Sequence, residues 1–180
     1  MTSSPIPGSI APVTRSALLM LYAALVTIGL MAGMYWDWDV AVMPGLTRLD
    51  DATFVETMQH LIVAIENPAF FLVAFGAFAS IAVAALLQRR GQRPAARWTA
   101  AALALYVVGV LVTVAVHMPI NYALVDAGDP SAISDLAAAR EDFGVPWRLA
   151  NVVRTVSCVL ALVCVGRALS LEGGEQVKRP

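Results

Sequence analysis

Four stretches of almost unbroken apolar residues, at 16–34, 69–87, 98–117 and 150–169, limit what this chain can fold into more than any other feature. Each holds about twenty residues, which as a helix crosses a hydrocarbon core of about 30 Å. Ala, Leu, Val and Gly fill them, and none alternates as a transmembrane strand does, so the helix is the only spanning element left. The expected fold class is therefore all-α: an integral membrane four-helix bundle. Composition agrees, since 59% of the 180 residues are hydrophobic and 14% charged. A mean hydropathy of +0.72 is too high for an ordinary soluble domain.

Charge sets the expected topology. Arg89, Arg90, Arg93 and Arg97 crowd the link between the second and third spans without an acidic residue, so by the positive-inside rule that link is cytoplasmic. Both termini, with Arg15, Arg167, Lys178 and Arg179, then face the cytoplasm of a multi-pass cell-membrane protein. The first fifteen residues read as a cytoplasmic tail leading into an uncleaved first span, because no small-residue cleavage site follows. Residues 16–171 read as one membrane domain and 172–180 as a second cytoplasmic tail. Cys158 and Cys164 lie six apart in one span, on different helix faces, and cannot pair with each other.

The two segments expected outside are long and acidic, and amphipathic extracytoplasmic helices are expected in both. After a turn at Met43-Pro44-Gly45, Phe54, Met58, Leu61, Ile62 and Ile65 share one helical face, and Asn67-Pro68 joins that helix to the second span. In the other, Ser131 or Ser134 caps a short helix over 131–141, and Gly144-Val145-Pro146 reads as a turn. In the first span, Gly29 and Gly33 offer a small face for close helix contact.

Counting about 1.5 Å per residue from the cytoplasmic ends brings Glu66, His117, Asn121, Asn151 and Arg154 to one layer near the outer surface. Trp147, Asn151, Arg154 or Thr155, and Cys158 form a stripe down the fourth span, while Glu56, Gln59, His60 and Glu66 form another before the second. Converging polar stripes over an apolar floor describe a small pocket. Its candidate catalytic groups are His117, Asn121, Asn151 and Arg154; its candidate substrate contacts are Gln59, His60, Glu66, Trp147 and Thr155.

Each of these residues also has a plainer reading. Arg154 can snorkel to headgroups or pair with Glu66, the asparagines can cap helices or bond across them, and tryptophans near span ends form an interfacial belt. His60 and His117, with Met58 or Met118, leave a haem or copper centre open, although no ligand spacing supports a metal. No nucleotide-binding, nucleophile-elbow, CxxC or HExxH pattern occurs, and no basic aromatic surface suggests nucleic acid. Membrane lipid and a small lipophilic substrate are the expected partners, and oligomeric state is left open. A non-catalytic protein binding lipid or another partner is the main alternative to an enzyme.

Met43-Pro44-Gly45-Leu46 with Leu49-Asp50-Asp51, Phe54-Val55, Met58-Gln59, Asn67-Pro68, Pro119-Ile120-Asn121 and Asn151-Val152-Val153-Arg154-Thr155 resemble, in order, the anthrone-oxygenase-like family of small four-span membrane proteins. The chain departs from the family's pattern at Ile62, His117, Tyr122 and Ala150. The resemblance implies an oxidoreductase, a monooxygenase needing no cofactor, that oxidises a lipophilic aromatic substrate with molecular oxygen at an outer-leaflet pocket. By that analogy His117 or His60 is the base, Arg154, Asn151 and Asn121 are donors to an enolate-like oxyanion, and Trp147 stacks on the ring.

Overall fold

In the computed structural model, residues 15–177 are described, with side chains through Gly174. The expected N-terminal tail, Arg15 apart, and Lys178 and Arg179 lie outside them. The described chain contains no strand. It forms α1 (Arg15–Leu46), α2 (Asp51–Ile65), α3 (Pro68–Arg90), α4 (Ala96–Asp126) and α5 (Leu136–Val177), with a 3-10 turn at Pro130–Ala132. Four of these, α1, α3, α4 and α5, are long and apolar enough to cross a membrane. The helices pack as a ring in the order α1, α3, α4, α5, with α5 returning against α1.

Buried alanines carry this packing: Ala24 on α1, Ala77 and Ala84 on α3, Ala102 on α4, and Ala161 and Ala168 on α5 are at or near zero exposure. Small side chains let backbones approach where burial against lipid supplies no driving force. Leu72, Phe75 and Leu149 are more than 60% exposed, as side chains that face acyl chains should be. The Gly29 and Gly33 face differs from its expectation, because a methyl group added at either glycine would meet nothing within 4 Å. The contact face of α1 is Leu21, Ala24, Ile28 and Met31.

Pro44, expected in a turn, and Pro119, just past the expected end of the third span, are both carried inside helices. Pro44 and Pro119 each follow a methionine, and each Met-Pro pair is preceded by a five-residue π turn, Trp38–Val42 in α1 and Thr113–His117 in α4. Proline has no N–H and its ring crowds the carbonyl four residues back, so widening the preceding turn keeps the helix intact. The N–H of Met43 reaches the Trp38 carbonyl, and that of Met118 reaches Thr113. Met43-Pro44-Gly45 is accordingly helical. Pro146 also lies within α5, so Gly144-Val145-Pro146 is no turn, and buried Phe143 and Trp147 anchor the helix on either side of it. The cap of α5 is neither Ser131 nor Ser134: the Asp135 carboxylate accepts from the Ala138 N–H at 2.9 Å.

At 42 residues, α5 is about 63 Å long, twice a hydrocarbon core, and its first part joins α2 in a cap over one end of the bundle. Met43, Phe54, Val55, Met58, Ile62, Leu124, Phe143 and Trp147 form the core of this cap. Asp50 starts α2 by accepting from the backbone and hydroxyl of Thr53, which holds its carboxyl below the ordinary range. Asn67 starts α3 by accepting from Phe70 N–H at 3.0 Å, with Pro68 in the first turn. Arg140 ties α5 to the α1–α2 turn through the Thr47 and Leu49 carbonyls and Asp51, lying 4.8 Å over Phe54.

The opposite end holds a buried polar cluster. Glu172, in the segment read from sequence as a tail, is 1% exposed and accepts from Arg93 at 2.5 and 3.0 Å and from Gln88 at 3.0 Å. Thr99 donates to Gln88 in turn. The arginine-rich α3–α4 link is thereby bolted to α5.

Candidate functional site

Beneath the cap lies a cavity of about 240 Å³. Its walls come from every helix. Met34, Tyr35 and Trp38 belong to α1, Met58, Leu61, Ile62 and Ile65 to α2, and Phe70 and Phe71 to α3. The polar side is Thr113, His117 and Asn121 of α4 with Arg154 of α5, and Trp147 closes it. Glu66 and Tyr122 flank the opening, where the tyrosine hydroxyl donates to the carboxylate at 3.0 Å.

Arg154 is 8% exposed and has no carboxylate within salt-bridge distance among the described residues. Its position is fixed indirectly. Asn151 donates to the Tyr35 carbonyl at 2.9 Å and to Asp39 at 2.6 Å, so both amide hydrogens face α1 and its oxygen turns to Arg154, which donates to it at 2.6 Å. Thr155 holds the other Asp39 oxygen at 2.5 Å. Thr113 lies at the margin of hydrogen-bond range from the guanidinium, 3.5 Å away. Aromatic faces complete the seat: the Arg154 guanidinium carbon stands 4.3 Å from the Tyr35 ring centre and 5.7 Å from that of Trp147.

His117 is 2% exposed and meets Trp147 edge to face at 5.1 Å. Among the described residues neither of its ring nitrogens meets a partner in good hydrogen-bond geometry, although the backbone of Val112 and Trp147 passes close by. Nε of Arg154 and Oδ1 of Asn121 are also buried without partners. An unmet buried polar group costs about 1–3 kcal/mol, so such atoms are rarely left without a purpose. Five buried side-chain polar atoms among the described residues lack partners, and four belong to three residues on this one cavity.

The residues singled out from sequence therefore divide. Glu66, His117, Asn121, Trp147 and Arg154 line the cavity. Asn151 and Thr155 stand behind it as the frame that orients Arg154. Gln59 points away, donating to the carbonyls of Leu124 at 2.8 Å and Gly128 at 2.9 Å. His60 is exposed on α2 and does not line the cavity, which receives the apolar face of that helix in place of the expected polar stripe. Among the described residues no three His, Cys, Asp or Glu side chains group as metal ligands.

Asp39 is not among the candidates read from the sequence, where it is one acid of an outer segment. Its signal was an acid at the end of one apolar run facing an amide, a hydroxyl and a guanidinium on another. Tyr35 and Trp38 were missed as well; Trp38 packs 4.9 Å from Trp147 and forms a cavity wall.

Fold and site together define a small four-span membrane helix bundle, capped at one end over an apolar cavity with an arginine, an imidazole and an amide on its polar side. The chain belongs to the anthrone oxygenase family, whose match covers residues 60–164. That stretch runs from α2 into α5 and includes His117, Asn121, Trp147 and Arg154. No curated protein and no solved structure matches the chain.

Proposed function

We propose that this protein is a membrane oxygenase that oxidises a flat, lipophilic aromatic ketone of the anthrone type with molecular oxygen, the cap-end cavity being its active site. The observation that carries this reading is the convergence of the unpartnered His117, Asn121 and Arg154 atoms on one apolar cavity in a member of the anthrone oxygenase family. A volume of about 240 Å³ falls just below the usual ligand-pocket range of about 300–1,000 Å³, which restricts the occupant to a compact molecule.

In the proposed reaction a neutral His117 ring nitrogen takes a proton from the methylene carbon opposite the ketone. The electron pair left behind delocalises onto the ketone oxygen, where the Arg154 Nε–H faces the developing negative charge. Asn121 Oδ1 accepts from a ring hydroxyl, and Trp147 and Trp38 flank the ring. The carbanion is oxidised by dioxygen, giving a carbon-bound hydroperoxide after oxygen couples and the proton returns. Loss of water then leaves a second carbonyl, so one substrate and one O₂ yield one quinone and one H₂O. Asn151, Thr155 and Asp39 act through Arg154 as positioning residues, while Gln59 and His60 take no part. The arginine-rich link faces the cytoplasm of a cell-membrane protein with both termini inside, which sets the cavity at the outer leaflet.

The test uses purified protein with 1,8-dihydroxyanthrone as probe, following oxygen uptake and quinone absorbance together. Wild type is expected to form quinone and consume oxygen one to one. His117→Ala is expected to lose about 10²-fold or more in rate, a typical loss for a general base. Turnover equal to wild type in that variant, with its fold retained, would overturn the assignment.

A non-catalytic reading is favoured by one observation: the Asp39, Asn151 and Thr155 bonds join α1 to α5, as a purely structural device would. It predicts that changes there cost folding while His117→Ala changes nothing measurable.

A further inference from the structure

Arg48 and Arg148 line an open groove of about 590 Å³ between the end of α1 and the first half of α5, and it shares no lining residue with the cavity. Both are exposed, and neither has an ion pair or hydrogen bond among the described residues. The groove's other walls include Met43, Val145, Leu149 and Val152. Asp39 also reaches it, but both its oxygens are engaged, one by Asn151 and one by Thr155. Glu141 lines an adjoining hollow with Arg148 and pairs with neither arginine.

Depth identifies the occupant. Arg148 stands 24 residues before Glu172 on one continuous helix, a rise of about 36 Å, which exceeds a hydrocarbon core of about 30 Å. With the Glu172 layer at one membrane boundary, the two guanidiniums stand at the phosphate plane of the other. Immediately below Arg148, Leu149, Val152, Val156, Leu160 and Val163 run down one face of α5, each between 47% and 66% exposed. Two unpaired cations over an apolar track match one anionic head over one acyl chain. A zwitterionic lipid brings its own cation and matches less well.

We infer that Arg48 and Arg148 form a binding site for an anionic phospholipid, the phosphate held between the two guanidiniums and an acyl chain lying along the Leu149–Val163 face. The site is separate from the cavity and stands whatever reaction the cavity performs. Each arginine near a lipid surface contributes about fivefold in affinity, so the pair should contribute roughly 30-fold.

The experiment is native mass spectrometry of the full chain in non-ionic detergent, titrated with phosphatidylglycerol or with phosphatidylcholine of the same acyl chains. Wild type is expected to retain one phosphatidylglycerol in clear preference. Arg48→Gln/Arg148→Gln should bind it roughly 30-fold more weakly, and the control Arg89→Gln/Arg90→Gln, at the other end, should bind it as wild type does. Arg148→Gln alone should lose about fivefold and serves if the double variant fails to fold. Equal retention of the two lipids by wild type, undiminished binding in the Arg48 and Arg148 variants, or competition by inorganic phosphate at the concentration of the lipid would each overturn the inference.

Discussion

The two ends of this bundle each bury an arginine among polar neighbours, and they do so in opposite ways. At the arginine-rich link, Arg93, Glu172, Gln88 and Thr99 form a closed set in which no buried side-chain polar atom is left unpartnered. At the cap end, Arg154 is oriented with comparable care through Asn151 and Asp39, yet its Nε, both nitrogens of His117 and the oxygen of Asn121 are left unmet around a cavity. A closed network is what stability alone requires; an oriented but open one has valences reserved for something else. Burial and charge type are shared by the two arginines, so partner count is what separates scaffold from site.

Breaking the closed set should have the largest effect. Glu172→Ala removes the buried carboxylate to which both Arg93 and Gln88 donate and is expected to cost about 3–5 kcal/mol, read as a large fall in thermal midpoint in detergent or as failure to fold. Arg154→Ala sharpens the contrast from the other side. It should leave the midpoint far less changed than Glu172→Ala does, and reduce anthrone turnover about 10²–10³-fold, as removal of an oxyanion donor does. Asp39→Asn is a subtler break. An amide at 39 cannot accept from both Asn151 and Thr155 as the carboxylate does, so the Asn151 amide loses its fixed direction and Arg154 its seat. A fall of about tenfold in kcat with little change in KM is expected, with activity at least partly restored in Asp39→Glu; a fall in folded yield with kcat intact would make Asp39 purely structural. The smallest effect is expected at Gly33→Ala, away from both clusters. With nothing within 4 Å to clash, the added methyl should raise stability by up to about 1 kcal/mol through helix propensity, and a loss would show that this face has a partner.

Much of this arrangement is legible in the sequence, because the membrane turns length and polarity into position. Apolar runs of about twenty residues announce the spans, and a count of residues from their cytoplasmic ends puts His117 and Arg154 at a common depth. Asp39 lies beyond the expected end of the first span at residue 34, so a helical count that stops there does not reach it, although Ile28, Ala32, Tyr35 and Asp39 follow one face of α1. Pro44 and Pro146 look like turns because local chemistry favours a break, while the packing of Met43, Phe143 and Trp147 in the cap holds the helices through them. His60 shares its α2 stripe with Glu66, and periodicity alone cannot say which edge of an amphipathic helix meets a cavity; Glu66 reaches the mouth and His60 faces outward. Glu172 falls just past the last apolar residue and reads as tail until its partner, 79 residues earlier, is seen.

The most direct measurement of the central claim is paired oxygen uptake and quinone formation from 1,8-dihydroxyanthrone by wild type and Arg154→Ala, each first shown to be folded by its thermal transition. The account predicts one quinone per oxygen in wild type and a rate at least about 10²-fold lower in the variant. Equal rates in the two folded proteins, or no rate above buffer in wild type, would contradict it.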